Sequence, residues 1–384
     1  MQYRPYGSTG RDVSMLGFGA MRLPQNEDGT CDYDASVPLL RQGIDAGINY
    51  IDTARGYISG TSEVAVGKAI KGYDRRKLFI VTKIPSNDIK NSVGREWRRQ
   101  LEEQLRRFDM EYIDLILFHG LNWASFEEHV SKPGYALEAA RKAQADGLVR
   151  HVGFSSHDTA DGIVKLIATG EFEGILVQYN FLDDHNRPAI DAAHDAGLGV
   201  TIMGPVAGGR LGVPGSVALP GQGIEALRLP DLALRYVWST PGVSVALSGM
   251  NAAEQIEENV ASAERTAVMT AAEQSQIAAI LEKNRRLTEL YCTACGYCMP
   301  CPNDVNIPEN FRYMNWHRVW GLTAEAKDAY AKFSEEGFHA SWSPQKITGL
   351  NAEYCIQCGI CEPKCPQNIP IRKQMKEVAA ALGA

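Results

Sequence analysis

Eight of the nine cysteines fall in the last quarter of the chain, in two runs. The first is Cys292-x-x-Cys295-x-x-Cys298-x-x-Cys301-Pro302 and the second is Cys355-x-x-Cys358-x-x-Cys361-x-x-x-Cys365-Pro366. The second run has the ligand spacing of a 4Fe–4S cluster. A cubane needs one thiolate per iron. The x-x gaps let three sulfurs of one tight turn reach three corners, and the fourth arrives from farther along the chain. The following proline then turns the backbone away. Where two such runs occur together, the fourth cysteine of each serves the other cluster. This assigns Cys292, Cys295, Cys298 and Cys365 to one cluster, and Cys355, Cys358, Cys361 and Cys301 to the other. The first run is one residue shorter before its Cys-Pro, which leaves the cluster of Cys301 open. Zinc is the alternative occupant of Cys-x-x-Cys pairs, although overlapping triplets each followed by Cys-Pro are not its usual pattern. Disulfides would suit a secreted chain, and Met1-Gln2-Tyr3-Arg4-Pro5 lacks the apolar core of a signal peptide. Cys31 stands apart in a polar stretch and reads as an ordinary free cysteine.

A second set of chemistry-bearing residues lies in the first third: Asp52, Tyr57, Lys83 and His119. Each alone has a structural reading, as a helix-capping Asp, a surface Lys or a satisfied His. Together they close successive apolar runs. The strand candidates are Met15–Gly19, Asn49–Asp52, Leu78–Lys83, Ile113–His119, Val149–Phe154, Ile175–Gln178, Val200–Met203 and Val243–Leu247. Amphipathic runs such as Val37–Ala46, Glu63–Lys71, Trp97–Phe108 and Ala136–Ala145 lie between them. Apolar strands punctuated by helices predict parallel β-α units. Eight such units in roughly 250 residues predict an α/β fold, a TIM (β/α)8 barrel. A doubly wound sheet is the runner-up, weakened because no G-x-G-x-x-G follows the first strand. Tyr3–Leu16, with Gly7-Ser8-Thr9-Gly10 at its centre, predicts a hairpin closing the barrel bottom. In such a barrel the chemistry sits at the C-terminal strand ends, which is where all four residues fall.

The chain has 384 residues, 45% of them hydrophobic, and a formal net charge of -7. That length accommodates a large domain and a small one. The charge disfavours a nucleic-acid partner, and no stretch is apolar enough to span a membrane. Reduced, cluster-bound cysteines imply a cytoplasmic location. The expected organisation is a barrel over residues 1–270, a linking helix over 271–290 and a small α-helical cluster domain over 291–384. Phe311, Tyr313, Trp316, Trp320, Tyr330 and Phe333, between the cysteine runs, read as core or interface packing.

Asp52-Thr53-Ala54-x-x-Tyr57 with Ser62-Glu63, Lys83 and His119 resembles the signature of the aldo-keto reductases. So do Gly153-Phe154-Ser155-Ser156-His157, Val177-Gln178-Tyr179-Asn180 and Gly249-Met250-Asn251 through Asn259. The resemblance covers residues 1 to 270. The cysteine tail resembles the branch of that family with a C-terminal ferredoxin-like domain. It implies Asp52, Tyr57, Lys83 and His119 as the catalytic residues and NADP or NAD as the cofactor. It also implies that Ser155, Ser156 and Gln178 bind the nicotinamide carboxamide, with Gly19, Ala20 and Met21 bordering the same cofactor. The loop Gly204-Pro205-Val206-Ala207-Gly208-Gly209-Arg210-Leu211 would lie over the pyrophosphate, with Glu258 and Asn259 at the adenine end. Where many relatives stack an aromatic residue on the nicotinamide, this chain places Met203. Where NADP-specific relatives carry a basic residue for the 2′-phosphate, the aligned position is Gln255, a neutral amide that cannot make a charge-assisted fork.

The chemistry of the four residues stands beside that resemblance. Carbonyl reduction needs a hydride to carbon and a proton to oxygen. A free tyrosine has a pKa of about 10 and is a poor acid at neutral pH. A buried ammonium beside it stabilises the phenolate and makes the phenol a better acid. Lys83, held by Asp52, would do this for Tyr57, and His119 would orient the carbonyl. The expected function is interconversion of a small carbonyl or alcohol by hydride transfer, with two 4Fe–4S clusters carrying electrons or bracing the tail. An electron-transfer partner protein is allowed for. The alternatives are a nucleotide-binding redox sensor and an electron-transfer module that uses the barrel as a docking platform.

Overall fold

The computed structural model describes residues 1–86, 88–207, 211, 229–265, 269–270, 273–275, 277, 292, 295–320, 323–332 and 349–383. The chain divides into two compact units. One is Met1–Tyr179, Asp183–Pro205 and Leu234–Val268; the other is Asn180–Leu182, Val206–Ala233 and Met269–Ala384.

In the first unit eight parallel strands close into a barrel. They are β3 (Leu16–Gly19), β4 (Tyr50–Asp52), β5 (Phe79–Pro85), β6 (Ile113–His119), β7 (Val149–Ser156), β8 (Gly174–Gln178), β9 (Gly199–Met203) and β10 (Val243–Ser248), with β10 pairing both β9 and β3. Helices cover the outside, so most strand residues are buried, which is why the strands read as nearly unbroken apolar runs. Register places the strand ends at comparable depth: Gly19 lies opposite Asp52, Lys83 opposite Leu117, and Gln178 opposite Met203.

The hairpin β1 (Tyr3–Pro5) and β2 (Asp12–Ser14) is antiparallel. It delivers Tyr6, fully buried, against Tyr50 and Phe79 at ring-centroid separations of 5.7 and 5.1 Å. Tyr50 and Phe79 open β4 and β5, while Gly174 and Gly199 open β8 and β9. A Cβ on Gly199 would lie 2.3 Å from the Tyr6 ring, so only glycine fits there. The Tyr6 hydroxyl meets Thr201 Oγ1 at 3.2 Å, so the plug's one polar atom is satisfied. The N-terminal end is thereby sealed by aromatic packing, and the opposite end is left for chemistry.

The second unit contains helices Ile307–Trp320, Thr323–Lys332 and Ile371–Leu382. Its two cysteine runs repeat one local design. Gly296 and Gly359 follow the second cysteine of each run, both at φ +79. Asp304 and Asn368 sit three residues after Cys301 and Cys365 at φ +53 and +51, each donating its backbone N–H to that cysteine's carbonyl at 3.1 Å. Helices begin three residues farther on, at Ile307 and Ile371. Phe311, Tyr313, Trp316 and Tyr330 are buried as core. Thr270 and Glu273 exchange side-chain-to-backbone hydrogen bonds of 2.8 and 3.3 Å, a capping box at the start of the expected linking helix. Most of 271–290, the Trp320 side chain, Phe333, and the loop residues Gly208, Gly209 and Arg210 lie outside the described residues.

Candidate active site and cysteine-lined cavities

The open end of the barrel brings together the four residues singled out from sequence. Lys83 and Asp52 are almost fully buried, and Lys83 Nζ donates to Asp52 Oδ1 at 2.5 Å and to the Thr53 carbonyl at 2.7 Å. Burial raises the Asp52 carboxyl pKa, and the Lys83 ammonium opposes that rise. Asp52 Oδ2 is buried with no hydrogen-bond partner among the described residues. The same ammonium lies 4.7 Å from the centre of the Tyr57 ring. His119 meets that ring edge-on, at a centroid separation of 5.9 Å and an interplanar angle of 84°. Burial, then the Lys83 charge, then His157 push His119 down to about 3, so it is a neutral imidazole at physiological pH.

The loop that presents Tyr57 is under local strain. Ile58 and Ser59 both have φ +51, a left-handed conformation unfavourable for a side chain branched at Cβ such as isoleucine. Hydrogen bonds hold the turn, from Tyr57 N–H to the Ala54 carbonyl at 3.0 Å and from Gly60 N–H to the Tyr57 carbonyl at 3.0 Å.

Beneath Lys83 runs a buried polar network that sequence reading did not find. Glu63 Oε1 accepts from Thr82 Oγ1 and from Gln104 Nε2, both at 2.7 Å, and Gln104 Nε2 is 3.0 Å from the Lys83 carbonyl. Arg107 bonds Glu63 Oε2 at 3.1 Å and the Arg55 carbonyl at 3.2 Å. Burial raises the Glu63 pKa, and its three donors oppose the rise. The available signal was Gln100 and Gln104 spaced i,i+4 on the buried face of helix Gly94–Phe108, where apolar residues are the rule.

The other predicted residues divide. Gly120 N–H donates to Ser155 Oγ at 3.1 Å, which leaves the Ser155 hydroxyl proton for a ligand. Ser156 instead ties loops together, donating to the Leu121 carbonyl at 2.6 Å and accepting from Asp158 N–H at 3.1 Å. Gln178 ends β8 beside Gly204, which adopts φ +63. A Cβ there would stand 2.4 Å from Gln178 Nε2, so the glycine keeps that amide in place. Gly19, Ala20 and Met21 follow at the end of β3, with the Ala20 carbonyl accepting from Ser62 Oγ at 2.7 Å. Met203 ends β9 and leads into Gly204, Pro205 and Val206. Gln255 Oε1 accepts from Asn251 N–H at 2.9 Å, Asn259 turns inward to Ser248 Oγ at 3.0 Å, and Glu258 is exposed. Trp123 stacks on Phe126 at 5.8 Å and carries Lys165 over its ring at 5.7 Å. Hydrogen-bonding groups on adjacent strand ends, one hydroxyl proton among them, and a glycine that leaves room for Gln178 fit a nicotinamide carboxamide.

In the second unit the thiols gather around two cavities. One is lined by Cys292, Cys295, Cys298 and Cys365. The other is lined by Cys301, Cys355, Cys358 and Cys361, and Cys298 reaches its wall as well. Cys301 thus lies with the second run and Cys365 with the first. Ile307 and Ile371, the matching helix-starting residues, line both cavities. Burial first, then neighbouring thiols, push Cys298 up to about 12. Four sulfurs around a cavity, rather than converging on a point, suit a multi-iron cluster with one thiolate per iron. Cys31 is buried, with Sγ 3.2 Å from Ser36 Oγ; the polar stretch around it does not expose it. No helix among the described residues is long and apolar enough to cross a membrane.

A closed (β/α)8 barrel with an Asp–Lys–Tyr–His constellation at its mouth fits an oxidoreductase. Residues 15–213, more than half of the chain, match the model of the aldo/keto reductase family, and residues 291–370 match a 4Fe-4S dicluster domain. The chain belongs to the aldo/keto reductase family and carries a 4Fe–4S domain toward its C-terminus. It is 27% identical to an L-galactose dehydrogenase of Arabidopsis thaliana, covering 75% of this chain and 97% of that protein. It is 26% identical to an NADH-specific methylglyoxal reductase of Escherichia coli, covering 68% and 93%. Among solved structures, the holo form of an aldo-keto reductase from Bacillus halodurans superposes with a TM-score of 0.62 at 26% identity, covering 73% of this chain and 96% of that one.

Proposed function

We propose that the barrel mouth interconverts a small carbonyl and its alcohol with NAD(H) or NADP(H), that Tyr57 is the general acid/base, and that the second unit holds two 4Fe–4S clusters. The observation that carries the catalytic reading is Lys83 Nζ, anchored 2.5 Å from Asp52 and 4.7 Å from the Tyr57 ring centre. A cation so placed stabilises the phenolate, so Tyr57 gives up its proton to a nascent alkoxide more readily. His119, neutral and edge-on to the same ring, donates a hydrogen bond that orients the substrate oxygen. Ser155 and Gln178 hold the carboxamide and so fix the ring face presented. Bound nicotinamide supplies the hydride. Eight cysteines hold the clusters in the crossed grouping, Cys292, Cys295, Cys298 and Cys365 for one and Cys301, Cys355, Cys358 and Cys361 for the other.

Tyr57→Phe removes one hydroxyl from a half-buried ring. It should leave nucleotide binding intact and lower turnover by about two to four orders of magnitude, the usual worth of acid–base catalysis. The relatives' named substrates make methylglyoxal and L-galactose the first compounds to assay, followed by wider panels of aldehydes, ketones, quinones and sugar alcohols. Wild-type turnover by Tyr57→Phe on an active substrate would remove Tyr57 from the mechanism.

Gln255 offers the 2′-phosphate no cation, and its amide oxygen already caps Asn251. NADH and NADPH should therefore bind with similar affinity. Gln255→Arg should favour NADPH by about 1.5–3 kcal/mol, the range for a hydrogen bond to a charged group. Fluorescence titration of both nucleotides decides this. A wild type already selective for NADPH by orders of magnitude would place the phosphate site elsewhere, with Arg210 or Arg22 the first to test.

A further inference from the structure

We propose that the surface carrying Ile356, Ile360, Lys373 and Lys376 docks a small acidic one-electron carrier protein and passes electrons through the cavity ringed by Cys301, Cys355, Cys358 and Cys361. The inference rests on the proposed 4Fe–4S occupancy of that cavity. Ile356 is 62% exposed, Ile360 51% and Tyr354 51%, and the two isoleucines also form the outer wall of that cavity. Isolated exposed apolar side chains need no explanation, but three within seven residues of chain form a patch. The patch brackets Cys358, the one cysteine that is exposed. A ligand sulfur at the surface offers an electron the shortest path between the cluster and a partner.

The charge around the patch selects the partner. Beside it runs a groove lined by Glu362, Arg372, Lys373 and Lys376, sharing Arg372 with the cavity wall. Arg372 is occupied by Glu362 at 2.9 Å. Among the described residues Lys373 reaches only Glu377, at 3.8 Å, and the other oxygen of Glu377 is held by Arg318. Lys376 has no ion-pair partner among the described residues. Lys364 is a further exposed cation on the same cysteine loop, and the exposed carboxylates nearby are Glu353 and Asp304, the latter next to Asn303, whose amide bonds the Tyr354 carbonyl at 2.6 Å. A basic rim is notable on a chain of net charge -7.

The internal repeat provides the comparison. In the first half, the positions matching Lys373 and Lys376 are Glu309 and Arg312, which neutralise each other at 3.1 Å. The duplicated design thus keeps its ligands and turns in both halves but has unpaired lysine in only one. An apolar centre with a cationic rim is the anatomy of a protein docking site, and the rim steers an acidic partner to it. One electron leaves the reduced carrier and enters the cluster; no proton or group is transferred. Cys298, Ile307 and Ile371, which border both cavities, form the wall across which it continues.

The test uses anaerobically purified full-length protein with its iron and labile sulfide measured first. Reduced flavodoxin, a small acidic flavoprotein, is mixed with it by stopped flow while the cluster absorbance is followed. Wild type should be reduced quickly, at a rate that falls steeply with added salt. Lys373→Glu/Lys376→Glu and, separately, Tyr354→Ser, which lies outside the cavity lining, should retain wild-type iron yet slow reduction by flavodoxin at least tenfold. Reduction of both variants by photoreduced deazariboflavin, a small neutral reductant, should be unchanged. Variants with full iron that accept electrons from flavodoxin at the wild-type rate overturn the docking surface and leave the clusters standing. A dimer that dissociates on lysine reversal also overturns it, showing that a second copy covers the face. Protein without labile sulfide overturns the cluster reading and the docking surface together.

Discussion

At the barrel mouth the reactive groups are held by the protein's own framework. Lys83, Asp52 and His119 project from strands whose neighbours are paired in register, and Glu63, Gln104 and Arg107 brace the strand from below. Around the cavities of the second unit the cysteines sit instead on turns, in irregular segments and at the ends of short 3-10 segments. Their mutual arrangement rests on a few local hydrogen bonds, such as Asn303 Nδ2 to the Tyr354 carbonyl at 2.6 Å. The contrast is between a site built by folding and a site whose ligand is itself part of the fold. In the second kind, binding free energy is folding free energy.

Iron removal is the strongest way to break that comparison. Anaerobic chelation should abolish amide-exchange protection in helix Ile371–Leu382 while β6 stays protected, read by hydrogen-exchange mass spectrometry. Equal protection in both units after chelation would mean that the cysteine region folds without metal. In the same series, Cys358→Ser should lose about half of roughly eight irons, as one of two cubanes is lost. Cys31→Ser should lose none.

A smaller effect sharpens the other side. Gln104→Leu deletes the amide that joins Glu63 to the Lys83 carbonyl while keeping the volume similar. Leaving a buried partner unsatisfied is worth about 1–3 kcal/mol. If part of that falls on the position of the ammonium, kcat should drop by about 5–100-fold with KM little changed. Gln104→Glu, which adds a second carboxylate beside Glu63, should be worse than Gln104→Leu. Loss of thermal stability with kcat intact would make the network merely structural.

The smallest effect concerns acid. The unfolded chain takes up a proton at His119 near pH 6.5, whereas the folded site holds that imidazole neutral down to about 3. As pH falls the unfolded state binds the proton first. His119 therefore contributes stability that is complete above about pH 6.5 and is lost progressively below it. His157, pushed down to about 4, adds to the same window. His119→Gln should flatten the melting temperature between pH 6.5 and 4 by about 2–4 °C, the shift expected of 1 kcal/mol in a unit of this size. An unchanged acid slope would assign the loss to other groups.

Much of the barrel was legible because a strand buried on both faces has little choice of composition. Ile113–His119 and Ala136–Ala145 have the limits that periodicity predicts, and the other strand ends move by only one or two residues. The positions of Asp52, Lys83 and His119 followed from strand polarity. What was not legible depends on contacts across the fold. Nothing local marks Ile58 and Ser59 as left-handed; tertiary packing holds them there against their own preference. Ser156 carries the same hydroxyl as Ser155, yet it ties two loops together because the carbonyl of Leu121 happens to face it. Gln104 looks like an ordinary polar helix residue until Glu63 and Lys83 are placed around it. In the cysteine region the ligand spacing was plain, but the repeat extending to Asp304 and Asn368, and on to Ile307 and Ile371, is divergent in sequence and emerges from matched backbone angles.

The wall formed by Cys298, Ile307 and Ile371 has a magnetic consequence. With the proposed cubanes in both cavities, their reduced forms would carry unpaired spins on either side of that wall, close enough to sense each other. The fully reduced protein should show a broadened, interacting electron paramagnetic resonance spectrum, whereas partial reduction should give the narrow spectrum of a single isolated spin.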